Sequence, residues 1–333
     1  MVINDIINKS LNGEALEALE IKKLFEVDLF TEESALVQVA SYQKSQKACH
    51  GKAEVHAQVG INIAPCPRDC LFCAFAAVNK VFKESSQLTP QQAVEKLRQF
   101  EQDGANAVFV MATGNYPVEK FFEVSQEIRR GLKPQTILIA NVGDFSLAEA
   151  RRLKACGYAG IYHAVRLGEG RDTKIKKEKR LETFRYAKEA GLLLGTCLEP
   201  VGTEHSVDEL VEKTIITRDA KPVYSGAARR IPIPNTKLGS YPIVSEAKMA
   251  HILAVVRLAL GYDIPGNCTH EPNVIGCAAG ANLLWAEVGS NPRDTHQETQ
   301  QARGMNVLQC RNVLKEAHWD VLDGPSVFYS GKN

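Results

Sequence analysis

The sequence predicts a complete (β/α)8 barrel of the TIM type, an α/β fold carrying an N-terminal helical extension and a C-terminal helical tail. Three observations point there: eight short β-rich runs, amphipathic segments between them that often open on Ser or Thr and close on Gly, and no low-complexity linker to divide the series. At 333 residues and 44% hydrophobic content, the chain can bury so large a core without disulfides.

Residues 1 to about 50 read as helical. ALEALEIKKLF forms one segment, and a second begins at TEESALVQVASYQKSQ, where Thr31 suits the N-cap and Glu32 and Glu33 suit the positive end of the helix dipole. The strands then fall at 54–61, 107–114, 136–143, 160–167, 192–200, 223–231, 263–269 and 282–288. Between them lie helical stretches such as TPQQAVEKLRQFEQDG, SLAEARRLKACG, KRLETFRYAKEAG and SVDELVEKTIITRDA. HQETQQARGMNVLQCRNVLKEA reads as one more helix in a tail that covers part of the barrel. The expected division is an extension over 1–50, a barrel over 51–290 and a tail over 291–333. In such a barrel the active site lies at the C-terminal ends of the strands.

Composition narrows the partner. Forty basic against thirty-nine acidic residues leave a net charge of +1, which offers no footprint for nucleic acid or an anionic membrane, so the partner expected is a small molecule. The N-terminus lacks the apolar core of a signal peptide and no run of eighteen apolar residues follows, so the expected location is cytoplasmic. Nine cysteines in a reducing compartment are poor disulfide candidates and better candidates for metal ligands, redox groups or buried thiols.

Spacing separates those roles. APCPRDCLFCAF follows the first strand and sets Cys66, Cys70 and Cys73 at C-x3-C-x2-C. Three thiolates on one short loop can bind three irons of a [4Fe–4S] cubane and leave the fourth iron open. Structural zinc favours four ligands in paired C-x2-C arrangements, and only Cys70 and Cys73 make such a pair.

The motif, its place after the first strand and the eight-unit barrel resemble the radical S-adenosylmethionine (SAM) superfamily, and within it the biotin-synthase-like branch, over roughly residues 40 to 300. The resemblance implies that Cys66, Cys70 and Cys73 hold the catalytic cluster and that SAM binds its open iron. Reductive cleavage of SAM then yields a 5′-deoxyadenosyl radical. Phe72 stands where the superfamily backs the adenine. The stretch from Met111 to Asn115, with Thr113 and Gly114, matches the segment that meets the SAM amino group, although the usual Gly-Gly-Glu is absent. IYHAVRLGEGRDT resembles the SAM-binding fourth strand, with His163, Arg166 and Glu169 as contacts. Arg180 matches an arginine that grips the SAM carboxylate by two parallel hydrogen bonds. AGANLLWAEVGSNPRDT resembles the branch's last strand, and Arg229 and Arg230 lie on a loop that approaches substrate in the branch.

Biotin synthase carries an auxiliary iron–sulfur cluster with ligands from the second, third, fifth and seventh strands. Here Met111, Thr113 and Asn141 stand where cysteines are expected, while Cys197, Cys268 and Cys277 are expected to converge as its metal ligands. His270 and Glu271 are expected to line the pocket, and Cys49, Cys156 and Cys310 to be structural. The first expectation is therefore sulfur insertion of the biotin synthase type into an aliphatic C–H, with lipoyl synthesis as the nearest variant. Carbon-skeleton rearrangement or cofactor maturation without a sulfur donor competes with it, as does a non-catalytic cluster-binding protein. The enzyme readings imply oxygen sensitivity and a flavodoxin or ferredoxin electron donor, and a homodimer is the candidate assembly.

Overall fold

The computed structural model describes residues 2–330. Eight parallel strands close into a ring: β1 (Lys52–Gly60), β2 (Ala107–Met111), β3 (Leu138–Asn141), β4 (Gly160–Tyr162), β5 (Leu193–Gly195), β6 (Tyr224–Arg229), β7 (Gly266–Thr269) and β8 (Leu283–Gly289). β1 pairs with both β2 and β8, and β7 pairs with both β6 and β8, so no edge is left open. Every β-rich run of the sequence has its strand. Several expected strands overran their C-terminal ends, however, because residues such as Thr113, Gly114, His163 and Arg166 leave the ladder to form the loops of the mouth.

The helices follow their caps. Thr89, Ser146 and Ser206 accept hydrogen bonds from Gln92, Glu149 and Glu209 backbone N–H groups at the starts of α4 (Pro90–Gln102), α6 (Leu147–Ala155) and α8 (Val207–Asp219). α5 (Val118–Gly131) and α7 (Lys177–Glu189) begin without a side-chain cap. The N-terminal region holds three helices rather than two: α1 (Ile3–Leu11), α2 (Ala18–Phe25) and α3 (Glu32–Ala48), packed with α9 (Glu246–Ala259) in one apolar cluster. α10 (Val274–Ala278) is a short turn between β7 and β8. The tail helix is shorter than expected. Asn306 caps α11 (Val307–Glu316), and upstream the chain runs as a single turn at Thr299–Gln301 and then bonds to β8, the Met305 carbonyl accepting from the Glu287 N–H at 3.0 Å.

Beyond α11 the chain seals the base. Glu54 accepts from the Val327 and Phe328 backbone N–H groups at 2.8 and 3.3 Å. Phe328 and Tyr329 then join His56, Phe109, Tyr224 and Trp285 in an aromatic layer that fills the lower interior, each ring removing a large apolar area from water. With the base packed, the space for a ligand lies at the mouth.

Candidate active site

The loop after β1 shapes that space. Cys66, Cys70, Phe72 and Cys73 all line the cavity at the C-terminal ends of the strands. Asn79 ties the loop together by donating to the carbonyls of Cys70, Leu71 and Cys73 at 3.4, 3.2 and 2.8 Å. Asp69 adopts a left-handed conformation there, which an aspartate tolerates. The loop is also strapped across the mouth. Ala74 donates its N–H to the Pro292 carbonyl beyond β8 at 2.7 Å, and Leu71 donates to the Asp172 carbonyl beyond β4 at 2.8 Å. Burial pushes the free thiols of Cys70 and Cys73 up to about 11 and about 12, so these two sulfurs are protonated near neutral pH unless a cation stabilises their thiolates.

Thr113 and Gly114 line the same cavity. Asn62 fixes Thr113 by donating to its Oγ1 at 2.8 Å and accepting from its N–H at 2.9 Å. The tighter glycine is Gly143 after β3, where a Cβ would stand 3.1 Å from the backbone of Gly114, so the two loops touch through bare backbone.

Arg166 and Arg180 reach the cavity, while His163 and Glu169 stand behind them. Arg180 donates from Nε to Glu169 at 3.2 Å and from Nη1 to Asp144 at 3.1 Å. His163 holds the other Asp144 oxygen at 2.9 Å. Neither His163 nor Glu169, both expected to contact SAM, lines the cavity: their side chains are buried behind Arg180, Glu169 bonded to it directly and His163 through Asp144. Burial and the neighbouring Arg180 hold His163 down at about 4, so at neutral pH it is an uncharged donor to Asp144. Burial opposes ionisation of Asp144, but His163 and Arg180 outweigh it and hold the carboxyl below the usual range. Asp144 was not singled out from the sequence, although it follows a barrel strand at the catalytic end.

Glu199 and Arg166 pair at 3.3 Å, and Tyr162 donates to Glu199 at 2.7 Å. Arg293 meets Glu271 and Glu287, and Arg303 meets Glu287 at 2.7 Å. Burial disfavours the Glu287 carboxylate, yet these two guanidiniums bring it to about 2. Arg230 lines the cavity but is locked onto Glu204 at 2.7 and 3.0 Å, and Arg229 turns to Glu246 and Glu271.

Cys197, Cys268 and His270 gather beneath the cavity floor, their ligating atoms within 4.8 Å of one another. Cys277 does not join them. It sits on α10, one turn beyond the end of β7, where its neighbour is Cys310 and its carbonyl accepts from Trp319 at 3.0 Å. Trp285 donates to the Cys268 sulfur at 2.9 Å. Burial resists a thiolate at Cys268, but the Cys197 hydrogen bond and His270 bring it down to about 6, while burial holds Cys197 well above its ordinary value.

A closed parallel barrel with a three-cysteine loop at its catalytic mouth is the architecture of a radical SAM enzyme, and residues 64–215 match the family model described as the Radical SAM superfamily. Among curated relatives, the biotin synthase of Desulforudis audaxviator is 25% identical over 72% of this chain and 77% of its own. Biotin synthase 1 of Corynebacterium diphtheriae is 23% identical over 84% and 78%. The chain is thus similar to the biotin-synthase-like branch of the superfamily, with its radical SAM match confined to residues 64–215. Solved structures share the fold: methylornithine synthase has a TM-score of 0.81 at 14% identity, covering 97% of this chain and 98% of that one. The FeFe-hydrogenase maturase HydG from Carboxydothermus hydrogenoformans also reaches 0.81, at 18% identity over 99% and 81%. Among the described residues no helix is long and apolar enough to cross a membrane.

Proposed function

We propose that the mouth of this barrel binds SAM beside Cys66, Cys70 and Cys73 and uses it to remove hydrogen from an unactivated C–H of a small aliphatic substrate. The observation that carries this reading is the placement of all three loop thiols on one cavity wall, with Arg166 and Arg180 facing the same space. The thiols fit a cubane. Their sulfurs are more widely spread than the ligands of a single ion, since they do not form a trio within 4.8 Å, and thiolates on different irons stand apart in that way. Cys66, Cys70 and Cys73 would hold a [4Fe–4S] cluster, which would supply the electron, drawn from a flavodoxin or ferredoxin, for reductive cleavage of the SAM sulfur–carbon bond.

The chain's own residues bind and orient. Arg180 has Nε and Nη1 committed to Glu169 and Asp144, which leaves Nη2 for the SAM carboxylate in place of the two-bond grip expected from the sequence. Phe72 supplies a flat apolar wall for the adenine, and Thr113 and Gly114 present hydroxyl and backbone to the methionyl amino group. Glu199, Tyr162 and His270 form the floor on which substrate rests.

The relatives named biotin synthase favour sulfur insertion as the fate of the substrate radical, by a biotin-type or lipoyl-type route. Such a route needs a second sulfur-bearing centre, and the residues beneath the floor do not suit a cubane: two thiols and an imidazole, closely gathered and covered by Trp285. We therefore favour carbon-skeleton rearrangement or cofactor-maturation chemistry that needs no sulfur donor. Anaerobic reconstitution with iron and sulfide tests both steps. Reduced wild-type protein should release 5′-deoxyadenosine from SAM, and Cys66→Ala should fall to the cluster-free background. Iron should approach about four per chain, whereas about eight would restore the sulfur-donor reading. A cluster-loaded protein that leaves SAM intact would overturn the enzyme reading.

A further inference from the structure

We infer that Cys197, Cys268 and His270 form a mononuclear site for a thiophilic divalent cation, zinc in the first place, separate from the loop cysteines. Among the described residues they are the one trio of Cys, His, Asp and Glu side chains whose ligating atoms lie within 4.8 Å of one another, and all three are buried.

Geometry favours one ion over a cluster. With zinc–thiolate bonds of about 2.3 Å and zinc–imidazole bonds of about 2.0–2.1 Å, tetrahedral ligands stand roughly 3.5–3.8 Å apart, so a trio within 4.8 Å needs to close by no more than about 1.3 Å. The loop cysteines, by contrast, are too spread to share one ion. The donor types agree, since two sulfurs and an imidazole suit zinc far better than a hard cation such as magnesium.

The fold also makes room for the trio to meet. β6 lies between β5, whose end Cys197 follows by two residues, and β7, which carries Cys268, and at the register position opposite Cys268 it has Gly226. Gly226 has a φ of +139°, and a side chain there would collide with the Cys268 backbone at 2.0 Å, so the glycine lets β6 and β7 approach at that level. The surroundings resemble the outer shell of a metal site. Trp285 donates to the Cys268 sulfur at 2.9 Å, a contact that favours the thiolate. Tyr162 lies 3.3 Å from His270 Nε2 and donates to Glu199 at 2.7 Å, which orients the imidazole and leaves Nδ1 as its ligating atom.

Three protein ligands leave one tetrahedral position open. Tyr162 and His270 line the cavity above, so water or a substrate thiolate or carboxylate reaches that position from the cavity side. Binding the ion releases the thiol protons to solvent. The inference is independent of SAM cleavage and survives if that reading fails.

The test uses the full chain with Cys66, Cys70 and Cys73 all replaced by alanine, purified anaerobically under reducing conditions, exposed to zinc chloride and desalted. About one zinc per chain should remain, and adding either Cys268→Ser or His270→Asn should bring it near zero. Cobalt in place of zinc should give a thiolate charge-transfer band that Cys197→Ser weakens by about half. Circular dichroism checks folding; should the triple variant unfold, the same metals are counted on the wild type against Cys268→Ser alone. Retention of iron with sulfide, a Cys197–Cys268 disulfide under reduction, or zinc no higher than in Cys268→Ser would each overturn the inference.

Discussion

At the mouth of the barrel Arg180 meets two carboxylates, Arg166 meets Glu199, and Arg293 and Arg303 share Glu287. At the base Lys44 donates to Ser10 and the Leu258 carbonyl at 2.8 and 3.0 Å, and Arg257 donates to the Ile264 carbonyl at 2.6 Å. Among the described residues neither base cation is paired with a carboxylate. Carbonyl oxygens carry only partial charge, so burial, with Arg257 adding to it, brings the Lys44 ammonium down to about 7. The mouth therefore keeps fixed charges of both signs in place for a ligand to feel, while the base satisfies donors just well enough to join the N-terminal helices to the barrel.

The largest test of that contrast is Arg180→Met. It should weaken SAM binding at least about a hundredfold in calorimetry and lower thermal stability, because Asp144 and Glu169 stay buried without their cation, at a cost of about 3–5 kcal/mol. Arg180→Lys should restore stability in part but not affinity, since an ammonium cannot reproduce the fork. Unchanged affinity in both would remove Arg180 from the binding role. A smaller effect is expected of Asp144→Asn, which keeps the shape but loosens Arg180: about a tenfold fall in 5′-deoxyadenosine release, with iron content unchanged.

The base gives the smallest signal, and it is a slope rather than a loss. The unfolded chain keeps the Lys44 proton to near 10.5, whereas the folded chain gives it up at about 7. Between those values the unfolded state holds more protons, so wild-type stability relative to Lys44→Met should climb with pH by up to about 1.4 kcal/mol per unit, and not at all below pH 7. Urea unfolding at pH 6, 8 and 9 reads it, and parallel lines for the two proteins would mean that Lys44 is never forced to release its proton.

Sequence pattern carried the barrel because each strand is a buried parallel run that stands out against its capped helices, and it grouped Cys66, Cys70 and Cys73 at one cavity because a single loop supplies them all. It failed where partners come from separate loops. Asp144, in the loop after β3, holds Arg180 on α7, and Glu287 on β8 meets Arg293 and Arg303 from the segment beyond that strand. His270 takes the place expected of Cys277 because it follows the end of β7 directly, two residues beyond Cys268, whereas Cys277 lies farther on, in the next helix.

The strap from Ala74 to the Pro292 carbonyl gives the cysteine loop a place in the order of assembly. Its anchor follows the eighth strand, so the sulfurs can take their final arrangement only after the first and eighth strands have zipped together. Iron delivered to a half-made chain would meet a slack tether. Delivered afterwards, it would rivet the seam, and a protein stripped of its iron should be cut first by proteases on either side of that loop.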